Sequence, residues 1–293
     1  MHTTTTIRDF RAARAGLDTL GFVPTMGFLH EGHLSLVRQA KRECGTAAVS
    51  IFVNPAQFGP NEDLARYPRD LNHDLALLGE AGADLVFMPG VEEIYPPGYR
   101  TYVTVEGLTE RLESAIRPGH FRGVATVVCK LLNIVQAEKA YFGQKDAQQC
   151  MVIDQMARDL AIPTAIVIAP TVREPDGLAM SSRNVYLSPE DRRAATVLIR
   201  ALHAAEQAHN AGERDAERLR EIVRGVLASE PRGQPDYVSC ADPLTLQELD
   251  AVGQQGALLS LAVRFGTTRL LDKALLGGIQ PSALSPQPSA LSL

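Results

Sequence analysis

The sequence predicts an α/β fold, a Rossmann-like doubly wound parallel sheet followed by a smaller α+β C-terminal domain. Three observations carry that reading. Short apolar runs alternate with helical patterns through the first half of the chain, which is how parallel strands joined by crossover helices read. The runs are continuous rather than alternating, as strands covered on both faces require. Near residue 188 the texture changes, and two helical stretches precede three short strands. The domains drawn from this pattern are residues 1–174, residues 175–279 and a tail, 280–293.

Taken in order, Leu20 to Pro24 reads as a buried strand, followed by a glycine-containing turn. Leu34, Val37, Ala40 and Cys44 then fall on one helix face. Thr46 to Val53 and Ala83 to Met88 are apolar strands, with a helical stretch from Leu71 to Leu78 between them. Gly123 to Val135 is a largely buried helix, Lys139 to Phe142 a strand, Asp146 to Leu160 an amphipathic helix, and Thr164 to Ala169 a further strand. Ser188-Pro189-Glu190-Asp191 supplies a helix cap, a proline at the first helical position and an acidic residue three after the cap. One long helix to about His209 is expected there, then another from Asp215 to Leu227. Tyr237 to Cys240, Leu258 to Phe265 and Thr268 to Leu271 are the three strands. The tail is rich in Pro, Ser and Ala and is expected to be disordered.

Composition narrows the class. With 293 residues, 45% hydrophobic and 22% charged, the chain can build a substantial core. A net charge of -5 argues against a dedicated nucleic-acid binder, whose domains usually carry a basic stripe, and leaves room for a local cationic pocket for phosphates. The four cysteines, Cys44, Cys129, Cys150 and Cys240, form no C-x-x-C pair, which suits a reducing compartment. No apolar run reaches membrane-spanning length, and the first residues lack a secretory apolar core. A cytoplasmic protein with neither nucleic-acid nor membrane partner is expected.

Ligands of open α/β sheets bind beyond the carboxyl ends of the strands, so each strand-to-helix turn is a candidate site. Pro24-Thr25-Met26-Gly27-Phe28-Leu29-His30-Glu31-Gly32-His33 joins the first such strand to its helix. A glycine turn at a helix N-terminus offers backbone N–H groups and a positive dipole end to phosphate. His30 and His33 share a helical face, where imidazoles can donate to phosphate oxygens. Gly27 to Leu34 has the Walker spacing, but His33 and Leu34 stand where Lys and Ser/Thr are needed. Two surface histidines at a helix start would fit the spacing equally well. Gly143-Gln144-Lys145-Asp146 offers a cation for phosphate and a carboxylate for a helix cap or ribose. Gln149, one turn later, can present an amide to a polar substrate. Met180-Ser181-Ser182-Arg183 supplies hydroxyls and a guanidinium suited to phosphate. Asn54 and Gln57 could hydrogen-bond a hydroxylated carboxylate without adding charge, although turn chemistry around Asn-Pro also explains that segment.

Together these segments closely resemble the pantothenate synthetase (pantoate–β-alanine ligase) family of the HIGH-motif nucleotidyltransferases. The likeness runs from about Thr5 to Asp272. It includes Pro24–His33, Ser50–Pro55 through Tyr67-Pro68-Arg69, Arg117-Pro118-Gly119-His120-Phe121-Arg122-Gly123 and Arg173–Asn184. The resemblance implies a ligase that condenses (R)-pantoate with β-alanine through a pantoyl-adenylate, using ATP and Mg²⁺, in a homodimer. It implies ATP-binding by Met26, Gly27, Phe28, Leu29, His30, Glu31, Gly32 and His33, by Gly143, Gln144, Lys145 and Asp146, and by Val172, Met180, Ser181, Ser182 and Arg183. His33, His30, Lys145, Ser181, Ser182 and Arg183 are the expected catalytic set, and Gln57, Gln149 and Asn54 the expected acid-binding amides. No protein metal site is implied, since Mg²⁺ would arrive on the ATP phosphates. Phe28, Ala147, Gln144 and Lys273 depart from the residues the family pattern leads one to expect. A related nucleotidyltransferase acting on a phosphate ester is disfavoured by the neutral Asn54 and Gln57, where cationic side chains would be needed.

Overall fold

The computed structural model describes residues 1–60 and 62–277. The tail expected to be disordered, 280–293, lies outside them. The chain forms two compact units that divide between Ala169 and Pro170. Val172 and Arg173 thus go with the second unit, whereas the sequence pattern draws the boundary after residue 174.

In the first unit the elements are β1 (His2–Thr4), α1 (Ile7–Arg14), β2 (Leu20–Thr25), α2 (Glu31–Cys44), β3 (Thr46–Ile51), α3 (Leu71–Ala81) and β4 (Leu85–Phe87). They continue with two short turns of helix, α4 (Val91–Ile94) and α5 (Glu113–Ile116), then α6 (His120–Val135), β5 (Lys139–Gly143), α7 (Ala147–Asp159) and β6 (Ala165–Ala169). The six strands pair in parallel in the order β1-β4-β3-β2-β5-β6. From β2 the chain moves outward through β3 to β4, then returns to lay β5 on the opposite side of β2. The strand order therefore reverses between β2 and β5, which is where such sheets open a crevice at their carboxyl ends.

Side-chain alternation covers both faces. Val23, Val49 and Val86 pack with Leu34, Val37 and Ala40 of α2 and Leu78 of α3 in one buried cluster. Neighbouring Phe87 meets Phe10 of α1, with ring centroids 5.2 Å apart. The predicted helix face of Leu34, Val37, Ala40 and Cys44 is buried throughout. β1 and α1 are not legible in the threonine-rich N-terminus. β1 is a three-residue edge strand, held by its pairing with β4 rather than by its own apolar content.

The second unit contains α8 (Pro189–Ala194), α9 (Val197–Asn210), α10 (Ala216–Leu227), β7 (Gly233–Ala241), β8 (Ala257–Phe265) and β9 (Thr268–Leu276). Its strands form an antiparallel sheet in the order β7-β8-β9. Leu198, Ala201 and Leu202 of α9 and Leu219 and Val223 of α10 cover Leu259, Leu261, Val263 and Phe265 of that sheet. The single helix expected from Ser188 to His209 is instead two, α8 and α9. The Thr196 hydroxyl donates to the Arg193 carbonyl at 2.8 Å, and such a local bond competes with the helical ladder. β9 runs five residues past the expected Leu271 to Leu276 because Asp272, whose charge breaks the apolar pattern, is buried and paired bidentately with Arg173 at 2.7 and 2.9 Å.

Candidate active site

The turn after β2 is shaped by a side chain from elsewhere in the fold. Gly27 and Phe28 both adopt positive φ, at +83° and +52°, so the backbone coils tightly between strand and helix. Thr25 accepts from Gly27 N at 3.2 Å while donating to the Ser50 carbonyl at 2.8 Å. Asp74 of α3, only 1% exposed, accepts from Phe28 N at 2.8 Å and from Leu29 N at 2.7 Å. Bonds from backbone N–H to a carboxylate are among the stronger ones in proteins. Leu29 turns its side chain into the core beside α2.

Two donors that sequence reasoning offers to phosphate are therefore already occupied, and the helix start is arranged similarly. His30 is the N-cap of α2, and its Nδ1 accepts from Gly32 N at 3.1 Å. Its own N–H reaches His33 Nδ1 at 3.4 Å, completing a capping box made of two imidazoles. The rings lie 4.1 Å apart between centroids. With each Nδ1 acting as acceptor, the ring proton belongs on Nε2. The free N–H groups expected at this helix N-terminus are thus largely capped. Burial pushes the His33 pKa down from 6.5 to about 3, with His30 adding to the shift. Glu31 is exposed and paired with Arg38.

Across the strand-order reversal, Gln144–Asp146 makes a 3-10 turn between β5 and α7. Lys145 lies close enough to His33 to help lower its pKa, and Asp146 opposes that effect. Lys145 Nζ is 3.6 Å from Asp146 Oδ1. Asp146 occupies the N-cap position of α7 without a side-chain cap bond, so capping is not its task. The adjacent glutamines have separate fates. Gln148 is buried and holds the preceding loop, donating to the Leu108 and Arg111 carbonyls at 2.8 and 2.9 Å and accepting from Glu113 N at 3.2 Å. Gln149 is half-buried, and no hydrogen bond holds its amide among the described residues.

The turn after β3 presents Gln57. Asn54, expected to touch substrate, is 1% exposed and has all its hydrogen bonds within the chain. Its Oδ1 accepts from Tyr95 OH at 2.8 Å and from Ala56 N at 3.3 Å. Its Nδ2 donates to the Gly123 carbonyl at 3.1 Å and to Gln57 Oε1 at 2.9 Å. A backbone carbonyl and a backbone N–H thus fix which way Asn54 points, and Asn54 in turn fixes Gln57. Gln57 is itself buried, and the one hydrogen bond of its Nε2 among the described residues goes to the weakly accepting Met26 Sδ at 3.3 Å. Asn54, which sequence reasoning offers to substrate, thus spends its side-chain hydrogen bonds within the chain and orients Gln57. Gly123 of α6 is required by proximity, since a Cβ there would lie 2.2 Å from the Ala56 carbonyl oxygen.

Sequence reasoning missed Asp74, Tyr95 and His120. His120 Nδ1 meets the Gln57 carbonyl at 2.8 Å, and its Nε2 meets Arg117 at 3.2 Å. A carbonyl only accepts and a guanidinium only donates, so the ring must be neutral with its proton on Nδ1. Burial, then Arg117, push its pKa down from 6.5 to about 4.

In the second unit the Met180 N–H donates to the Val172 carbonyl at 3.0 Å, closing a hairpin that delivers Ser181. Ser181 caps the short turn Ser182–Tyr186 by accepting from Arg183 N at 3.3 Å. Asn184 ties that turn to Glu174 at 3.1 Å, and Arg192 pairs with Glu174 and Asp176.

A family model described as "Pantoate-beta-alanine ligase" matches residues 1–275. A curated pantothenate synthetase from Chloroflexus aurantiacus is 68% identical over 93% of this chain and 97% of its own length. One from Herpetosiphon aurantiacus is 64% identical over 94% of this chain and all of its own length. Among solved structures, a pantothenate synthetase from Thermus thermophilus superposes with a TM-score of 0.90 at 51% identity, covering 94% of this chain and 99% of that one. A pantoate-beta-alanine ligase from Francisella tularensis, complexed with "Beta-gamma ATP and Beta-alanine", gives 0.78 at 35% identity, covering 96% of this chain and all of that one.

Proposed function

We propose a division of work among these residues from one premise: the chain belongs to the pantoate-beta-alanine ligase family. It is a ligase that condenses pantoate with β-alanine at the expense of ATP, by way of a pantoyl-adenylate, to give pantothenate, AMP and diphosphate. The observation that carries the assignment of roles is the pair of turns flanking the β2–β5 reversal, one bearing two imidazoles 4.1 Å apart and tilted against each other and the other Lys145.

ATP lies along Met26–His33 and Gly143–Asp146 in this reading, and Val172 and Met180–Arg183 are its further ATP ligands. In the first step a pantoate carboxylate oxygen attacks the α-phosphorus in line, and diphosphate leaves as the P–O bond to it breaks. Charge grows on the phosphate oxygens, where Nε2–H of His30 and His33, Lys145, the Ser181 and Ser182 hydroxyls and Arg183 stabilise it. His33 serves as a neutral hydrogen-bond donor: its Nδ1 accepts from His30 N, which places the ring proton on Nε2, and burial holds the free protein's imidazole well below its ordinary pKa. Gln57 presents Nε2–H to pantoate and then to β-alanine, and Gln149 supplies the second amide for pantoate. In the second step the unprotonated β-alanine amine attacks the acyl carbon, the C–N bond forms and AMP departs.

Mg²⁺ belongs to this reading as the counter-ion of ATP, offsetting charge on the leaving diphosphate. The nitrogen donors of the turns suit phosphate oxygens rather than a hard cation. Asp146 is the carboxylate of the β5 turn that would meet a cation arriving on those phosphates. The reading also takes the enzyme to be a cytoplasmic homodimer, a location suited to four cysteines that form no disulfide. No helix among the described residues is long and apolar enough to cross a membrane.

The test is release of AMP and diphosphate from ATP, Mg²⁺ and pantoate, with and without β-alanine. Sustained AMP release and pantothenate formation are expected only with both acids present. Turnover unaffected by His33→Gln would overturn the role given to that imidazole.

A further inference from the structure

The Arg117–Gly123 segment stands out in the sequence, yet it bears no group assigned to nucleotide or acids. Its geometry is directed at Gln57. From the first turn of α6, buried His120 donates Nδ1–H to the Gln57 main-chain carbonyl at 2.8 Å. Arg117 donates to His120 Nε2 at 3.2 Å and reaches the same carbonyl more distantly, at 3.5 Å. Glu62 holds Arg117 from the opposite side, its carboxylate 2.9 Å from Nε. One helical turn on, the Gly123 carbonyl holds Asn54, which sets the Gln57 side chain. Both the backbone and the amide of Gln57 are thereby fixed from one helix end.

We infer that His120 is a positioning residue for the acid-binding amide: it fixes the Gln57 peptide so that Nε2–H is aimed at the two carboxylic substrates. His120 touches neither substrate. It acts through Gln57, and the inference rests on the proposed role of that amide. The nucleotide turn has separate supports in Thr25 and Asp74, so the effect is confined to the acids.

The experiment compares His120→Ala, His120→Asn and Gln57→Ala by KM for pantoate, β-alanine and ATP, together with thermal unfolding. Asparagine places an amide N–H close to where imidazole Nδ1–H stands, so it restores the bond that alanine removes. For His120→Ala the KM of both acids should rise about tenfold, the cost of one lost buried bond, with ATP KM within about twofold. His120→Asn should return the acids to within about threefold of the parent. In a Gln57→Ala background, removing His120 should add little further, because the two act as a unit. Equal impairment by alanine and asparagine, or acid and ATP KM rising together in step with lost thermal stability, would overturn the inference. Should Gln57→Ala itself leave acid KM unchanged, the role of Gln57 falls. If Gln57→Ala raises acid KM and His120→Ala does not, only the positioning by His120 falls.

Discussion

The turns after β2 and β3 leave neighbouring parallel strands in register, yet they are held by opposite kinds of chemistry. Behind the nucleotide turn sits a charge, the buried Asp74 carboxylate taking the Phe28 and Leu29 N–H groups. Neutral groups hold the turn after β3 most closely, namely Tyr95, Asn54, Gly123 and His120, and Arg117, paired with Glu62, adds only a longer contact of 3.5 Å to the Gln57 carbonyl. On the proposed division of work, the difference follows from what each turn would face. A turn that meets polyphosphate can keep an anion only on its buried side, where it organises backbone and leaves imidazole N–H groups in front. A turn that must aim one amide needs fixed direction rather than charge, and a chain of neutral bonds ending on backbone atoms provides it.

The comparison can be broken most sharply at Asp74. Asp74→Ala strands two backbone N–H groups and should cost about 3 kcal/mol of stability in urea unfolding. Adenylation should fall on the order of a hundredfold as the turn loosens. A variant with ordinary ATP turnover would mean the turn holds itself. Next in size is Gly123→Ala, which drives a methyl group into the Ala56 carbonyl and should cost about 1–3 kcal/mol. Its kinetic signature should be weakened pantoate binding with ATP affinity kept; equal loss of both would dissolve the distinction between the turns. Tyr95→Phe removes only one acceptor bond at Asn54. It should cost about 1 kcal/mol and raise pantoate KM by about fivefold.

The smallest effect near neutral pH is one of protonation. His33 and His120 are held down to about 3 and about 4 from the ordinary 6.5. Their ring resonances in the free protein should therefore stay flat between about pH 5 and 8. The sign for stability follows from the same shifts. Below the unfolded value of 6.5 the unfolded chain binds more protons at these rings than the folded one, so stability declines as pH falls towards about 4 and then about 3. A titration of His33 near neutral pH would favour proton transfer over simple hydrogen bonding.

Much of the scaffold is legible because parallel strands buried on both faces leave continuous apolar runs. β2, β3, β4, β5 and β6 all lie within a few residues of the runs that announce them. β1 is not, since a three-residue edge strand carries no such pattern. β7 reaches further than expected because Pro235 interrupts its reading and is accommodated at a register shift. The positions of the nucleotide and acid turns follow from the same periodicity, since strand ends and helix starts bracket them.

The sequence by itself determined the alternating architecture, the turns that carry candidate chemistry and, through its long motif matches, the family. Only the tertiary structure decided which polar side chains are available and which are occupied. Gln148 and Gln149 are adjacent and chemically identical, yet one is buried as a loop staple and the other is half-buried with no hydrogen bond to its amide among the described residues. Asn54 and Gln57 read alike, but Asn54 is saturated and Gln57 is aimed. Asp74 reads as one more acid on a helix until the fold brings it to Phe28 and Leu29, forty-six and forty-five positions earlier. The physical reason is common to all three. A residue's chemistry is local, but its hydrogen-bond partners are set by which strand, helix or loop the chain folds beside it.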